Sequence, residues 1–187
     1  MPRTVCWIPL WNEPRRGIGL EHLILGEGTA DSVVLAFDET QGPFRLTYRL
    51  TWNEHWQLKV AELVLDTEHL TRSLYLQTDG QGHWHYDDGQ AIPELDGCQD
   101  IDIWPTPFTN SFPIRREPLE IGERREFRMA WVDATNLSVQ PQLQAYTRLS
   151  DRLYLFESLD GSGFQAELPV DDDGIITDYP SLFQRVT

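Results

Sequence analysis

Residues 97–116, GCQDIDIWPTPFTNSFPIRR, are the stretch where the chain stops reading as a succession of strands and turns. Asp100 and Asp102 alternate along a short extended run that reaches Trp104. A Thr-Pro pair follows, and then an apolar-polar segment that closes on Arg115 and Arg116. Thr106 can accept a hydrogen bond from the free amides of a first helical turn, and Pro107 suits the first helical position because its missing N–H has no partner to lose. Pro113 limits the helix to a turn or two, or kinks it. The spacing therefore predicts one short helix, from Thr106 to about Arg115, in a chain that is otherwise strands.

Upstream of this segment the periodicity is that of β-structure. In FRLTYRLTW, Phe44, Leu46, Tyr48, Leu50 and Trp52 share one face while Arg45, Thr47, Arg49 and Thr51 share the other, so one face is core and one is wet. The run from Thr4 to Leu10 is too apolar for alternation, which suits a strand covered on both faces and ended by Pro14 and a turn at Arg15-Arg16-Gly17. GLEHLIL sets Leu20, His22 and Ile24 against Glu21, Leu23 and Leu25, and Gly26 and Gly28 turn it back into a hairpin with the run from Ser32 to Phe37. Trp56, Leu58 and Val60 share a parity that Leu63 and Leu65 break, which predicts a bulge near Ala61 or Glu62.

Downstream, Phe127, Met129 and Trp131 alternate with Arg128, Ala130 and Val132. Leu137, Val139, Leu143, Ala145, Thr147 and Leu149 form a second alternating row, in which Pro141 implies an edge or a bulge. Asp-Gly pairs at 79–80, 88–89, 96–97, 160–161 and 173–174 mark tight turns between such runs. At the C-terminus, Tyr179-Pro180-Ser181-Leu182-Phe183 can make one helical turn and tuck Phe183 under a sheet. About ten strand signals and one short helix describe a mainly β domain, a long antiparallel meander that curls to protect its edges. No linker or repeat divides residues 1–187, a length that suits one domain.

Thirty acidic against 15 basic residues give a formal net charge of −15, which serves solubility and repels phosphate backbones, so nucleic acid is not an expected partner. The opening MPRTVCWIPLWNEPRRG is broken by Pro9, Glu13 and Pro14 before the apolar core of a secretory signal forms, and no run of about 18 apolar residues occurs. A cytoplasmic location without membrane insertion is expected. Two cysteines, Cys6 and Cys98, are too few for a disulfide framework and lack zinc spacing.

Three groupings invite chemistry. Asp100 and Asp102 on one face of an extended run form a possible acid and base pair, or else pair with Arg115 and Arg116 to hold the central segment. His83 and His85, two apart beside Asp87 and Asp88, have permissive metal geometry but no third ligand; they read as solvent-face polar residues beside a turn. Cys98 reads as a small buried thiol. No nucleophile elbow, phosphate loop or dinucleotide fingerprint is present, and no cofactor or metal is expected. Among the aromatics, Trp52 and Trp131 read as core, while Trp84 and Trp104, near turns, are candidates for a ligand wall.

Gly97-Cys98, Asp100, Asp102, the block Thr106-Pro107-Phe108-Thr109-Asn110 and then Pro113-Ile114-Arg115-Arg116 resemble the putative glycolipid-binding family of bacterial proteins. The resemblance extends through Gly19-Leu20-Glu21-His22, Asp79-Gly80 with Gly82 and Trp84, Gln144 with Tyr146-Thr147, and Asp178-Tyr179-Pro180 with Leu182-Phe183. It implies a spiral β-roll, one long, largely antiparallel sheet of roughly 15 strands wrapped around a single central α-helix, with likeness to carriers of lipoproteins. It further implies binding of an amphipathic small molecule, a glycolipid, between sheet and helix. On that expectation Trp84, Trp104 and Phe108 supply apolar walls, while Asp100, Asp102, Asn110, Arg115 and Arg116 orient a polar head. Two other classes compete: a hydrolase or isomerase with Asp100 or Asp102 as base, which needs its carboxylate in a water-accessible cleft, and an interaction protein, which needs a flat apolar patch.

Overall fold

The structure, a computed structural model, describes residues 1–11, 17–39 and 42–187. The turn expected at Pro14 and Arg15-Arg16 lies outside the described residues, up to Gly17. Among the described residues, fourteen strands fall into two sheets. The larger joins β1 (Arg3–Pro9), β2 (Leu20–Gly26), β3 (Thr29–Asp38), β4 (Gly42–Trp52), β5 (Leu58–Thr67), β6 (Thr71–Thr78) and β7 (Trp84–His85) as an antiparallel meander. The smaller contains β8 (Asp100–Trp104), β9 (Arg124–Asp133), β10 (Ser138–Ser150), β11 (Leu153–Ser158) and β12 (Gln165–Pro169). The C-terminal β13 (Asp178–Tyr179) and β14 (Phe183–Arg185) return to the larger sheet, where β14 pairs with β1.

The single continuous sheet expected around a central helix is therefore corrected to sheets of nine and five strands among the described residues. The ladder breaks in two places. Between β7 and β8 the chain makes a 3-10 turn at Pro93–Leu95, and the Gly82 and Gly97 backbones meet there, with Gly97 N donating to Gly82 O at 2.9 Å. Between β12 and β13 no continuous ladder forms among the described residues; the isolated bridge Val170 to Ile176 and a hydrogen bond from Thr177 N to Pro169 O at 2.9 Å join the two arms. One pairing is not antiparallel: β8 runs parallel to β9, because the chain between them crosses over through the central segment.

Alternation held in β4, between β3 and β5. Phe44, Leu46, Tyr48, Leu50 and Trp52 of β4 all face the core, and β1 is buried on both faces at Val5, Cys6 and Trp7. The bulge in β5 lies at Lys59, opposite Thr51 and Trp52, two residues earlier than the parity change suggests; Leu58, Ala61, Leu63 and Leu65 then face inward and Val60 is half-buried. Pro141 pairs only with β9, on a stretch of β10 that β11 has not yet joined, so its missing N–H faces an open edge. The expected row holds at Leu137, just before β10, and at Ala145, both buried, and fails at Leu143 and Leu149, which are 44% and 39% exposed, whereas Gln144 and Tyr146 point inward. The C-terminal helical turn is instead a hairpin, with Ser181 in the left-handed region at φ 66° and Phe183 buried as expected.

The central segment forms a 3-10 turn (Phe108–Asn110) that runs into α1 (Ser111–Arg116). Thr106 Oγ1 accepts from Phe108 N at 3.1 Å, and Pro113 sits within the first turn of α1, where no N–H is needed. Phe108 and Phe112 are wholly enclosed, their rings 5.9 Å apart, and each such burial is worth roughly 1.5–3 kcal/mol. A helix of six residues is too short to be an axis for a roll; it fixes the crossover and fills one side of the core.

Candidate functional site

The polar residues of the central segment are held from both sheets. Thr109 Oγ1 accepts from Ile103 N at 3.1 Å and donates to Asp102 Oδ1 at 3.0 Å, which ties the 3-10 turn back to β8. Gln144 Nε2, from β10, donates to Asp102 Oδ2 at 2.5 Å. Asn110 Nδ2 donates to Tyr146 Oη at 2.7 Å. Both oxygens of Asp102 thus accept from neutral donors, and no described residue gives it an ion pair. Burial raises its pKa above the ordinary carboxylate value, and the two hydrogen bonds pull it back.

Asp102, Asn110 and Gln144 form the polar edge of a pocket of about 280 Å³. Its opposite side is aromatic. Trp104 lies 6.1 Å from Phe183, Phe183 lies 6.1 Å from Tyr179, and Tyr179 lies 6.1 Å from Phe156 and 6.3 Å from Phe164, centroid to centroid. β8, β11, the C-terminal hairpin and the turn before β12 each contribute a ring to this wall, so it exists only once the chain is folded. Gln142, Ser158, Asp160 and Trp131 also line it.

Behind the pocket lies a second buried carboxyl. Glu21 of β2 is 2% exposed, and its Oε1 accepts from Tyr48 Oη at 2.5 Å, from Thr106 Oγ1 at 2.8 Å and from Ser32 Oγ at 3.0 Å. Its Oε2 has no hydrogen-bond partner among the described residues. Burial lifts the carboxyl from 4.5 to about 7, against the pull of the three hydroxyls. Thr106, which lines the pocket, stands between the pocket and Glu21.

The residues expected to share one site are separated. Asp102, Trp104 and Asn110 line the pocket. Asp100 is fully enclosed and held bidentately by Arg116, with Nε to Oδ1 at 2.9 Å and Nη2 to Oδ2 at 2.7 Å; Arg116 also reaches Glu117. That pair is the structural alternative, realised for Asp100 and absent for Asp102. Arg115 is exposed on another side, its guanidinium 5.3 Å above the Trp56 ring, which stacks on Trp52. Phe108 packs against Trp52 and Phe112 in the core. Trp84 is 1% exposed and donates from Nε1 to Cys98 O, so its ring is structural.

Cys98 is enclosed as well, and burial pushes its thiol up to about 11, which leaves it without the thiolate needed for nucleophilic chemistry. His83 Nδ1 pairs with Asp79 Oδ2 at 2.7 Å, and among the described residues no group of three His, Cys, Asp or Glu side chains could hold a metal ion. No described helix is long and apolar enough to cross a membrane.

Gln144, Phe156, Phe164, Tyr179 and Phe183 were not singled out for binding by sequence reasoning, and Trp131, expected in the core, is half-buried on the pocket. A usable signal existed for two polar positions. Glu21 shares the parity of Leu23 in β2, and Gln144 shares that of Tyr146 in β10, so strand alternation alone places a polar side chain on each inner face.

No curated protein matches the chain significantly. A crystal structure of a DUF1089 family protein from Pseudomonas aeruginosa is similar, with 48% identity over 89% of this chain and 91% of that one and a TM-score of 0.87. The sequence profile described as putative glycolipid-binding matches residues 9–185, through every element that builds the pocket, and the chain belongs to that family.

Proposed function

We propose that the chain binds an amphipathic small molecule, a glycolipid, by its polar head in the pocket between β8, β10, β11 and the C-terminal hairpin. The observation that carries this reading is the pocket's two-sidedness: carboxylate and amide groups of Asp102, Asn110, Gln142 and Gln144 on one edge, a continuous ring wall on the other. Sugars present that combination, hydroxyls around the rim and C–H groups on the faces, and amide or carboxylate partners with an aromatic platform match both. At about 280 Å³ the pocket takes a headgroup of one sugar and leaves an acyl chain to run out over the rings. The protein in this reading acts in the cytoplasm, and its two unpaired, buried cysteines support a reducing compartment.

Native mass spectrometry of the purified protein, followed by denaturing extraction and lipid analysis, tests the reading. A co-purifying amphiphile at fixed stoichiometry, lost in a folded Trp104→Ala or Gln144→Leu variant, is expected. An apo mass with no shift on adding octyl glucoside overturns it.

A hydrolytic reading is favoured by one observation, that Asp102 reaches the pocket with a raised pKa and no cation to keep it ionised. Asp100, enclosed and paired with Arg116, has no place in such a mechanism. Turnover of nitrophenyl glycosides or esters that is lost in Asp102→Asn separates catalysis from binding.

A further inference from the structure

The pocket's charge points to the class of headgroup. Its lining holds two carboxylates, Asp102 and Asp160, and no lysine, arginine or histidine among the described residues. Asp160 sits at the rim, where Gln142 Nε2 reaches its Oδ2 at 3.5 Å and Gln144 Nε2 reaches Gln142 Oε1 at 3.3 Å, so a polar strip links the two acids. Elsewhere in the fold, Asp100 has Arg116 and the half-buried Asp171 has Arg3 and Arg185, whereas Glu21, which lies behind the pocket and does not line it, is held by hydroxyls. Asp102 has amide and hydroxyl donors only.

An anion taken out of water without a counter-ion is costly, and the rest of the pocket wall is largely aromatic rings, which offer an anion no charge to pair with. The same surroundings suit a cation: aromatic rings attract it, Asp102 neutralises it, and the protein's net charge of −15 raises its local concentration. Resting on the binding function above, we propose that this pocket selects an amphiphile whose head carries a protonated amine or quaternary ammonium, with Asp102 as the counter-ion and the rings of Trp104, Phe156, Phe164 and Tyr179 as the cation-attracting wall. Amino sugars and long-chain amines share this chemistry. Phosphate, sulfate and carboxylate heads are rejected by the two acids.

Isothermal titration below micelle-forming concentrations tests the proposal with probes of one chain length: octyl β-glucoside, its 2-amino and 2-acetamido analogues, octyltrimethylammonium and octyl phosphate. The 2-amino glucoside is expected to bind at least about tenfold more tightly than the neutral and acetylated sugars, and octyl phosphate not at all. Binding of octyltrimethylammonium as tight as that of the amino sugar assigns recognition to the ammonium itself; weaker binding assigns it to an amine carried on a sugar. In Asp102→Asn the ratio of neutral to amino dissociation constants should fall towards one. The amine against acetamide comparison in the unaltered protein stands even where that variant does not fold. Equal affinity for the amino, acetylated and neutral sugars overturns the ammonium proposal and leaves the binding function intact, whereas no binding of any probe overturns both.

Discussion

Replacing Glu21 with Gln is expected to remove a pH dependence of stability from the protein. The Glu21 carboxyl is enclosed, with a folded pKa of about 7 against 4.5 when exposed. Between those values the folded state holds a proton that the unfolded state has released, so stability is greatest at the acidic end and declines as pH rises through 7. At 1.36 kcal/mol per pKa unit the full penalty is about 3 kcal/mol, of which about 2.5 kcal/mol develops between about pH 5 and pH 8. Gln cannot ionise. Its amide oxygen can accept from Tyr48, Thr106 and Ser32 as Oε1 does, and its NH₂ falls where Oε2 has no partner, a cost that does not vary with pH.

The assay is urea unfolding of both proteins across that range. The variant's stability relative to the parent should rise by about 2.5 kcal/mol from the acidic to the alkaline end, a relative shift of about 1 M in midpoint for an m-value of about 2–3 kcal/mol/M. Burial also raises the pKa values of Asp100 and Asp102, but both residues are present in each protein and cancel in the difference. A difference that stays flat within about 0.5 kcal/mol across the range refutes the reasoning, because it means that Glu21 folds as a carboxylate with its charge already accommodated.

Arg116→Ala strands Asp100 as an unpaired, enclosed charge and should cost about 3–5 kcal/mol in urea unfolding, while the double change Asp100→Leu, Arg116→Met should cost far less. Gly82→Ala should lower stability by roughly 1–3 kcal/mol, because φ is +99° there and a Cβ would stand 2.8 Å from Gly97 Cα, backbone against backbone. Trp84→Ala should cost about 3–5 kcal/mol of stability through the cavity it leaves. Trp131→Ala, at a half-buried position on the pocket, should cost less than that and weaken ligand binding, as thermal unfolding and titration of the same variants would show.

The sequence made the fold class legible because strand parity and turn chemistry are local. The row from Phe44 to Trp52 faces inward throughout, and each of the five Asp-Gly pairs places its glycine at a positive φ between 73° and 90°. The short helix was legible too, from Thr106, Pro107 and Pro113, although its first turn is the 3-10 turn Phe108–Asn110 and α1 itself starts at Ser111. Sheet closure was not, because whether β7 hands over to β8 by a ladder or a break depends on the backbone approach of Gly82 to Gly97, a contact between residues that no local pattern relates. The parallel pairing of β8 with β9 is hidden for the same reason.

The site was half legible, and what was missed shares one cause. Hydrophobic alternation assumes that inward positions are apolar, so a row is assigned to the core by its leucines; in β10 that rule chose Leu143 and Leu149, which face solvent, over Gln144 and Tyr146, which do not. A polar binding pocket inverts the rule, since its lining is inward and hydrogen-bonding. Glu21 is the same inversion in the other sheet: its parity is that of Leu23, and only its charge argued for the outside. These inverted positions converge on one segment, Glu21 on Thr106 from the larger sheet and Gln144 on Asp102 from the smaller. The stretch between Asp102 and Asn110 is thus the place to which both sheets direct polar groups, and the hydrogen bonds these groups make to one another offset the cost of enclosing them.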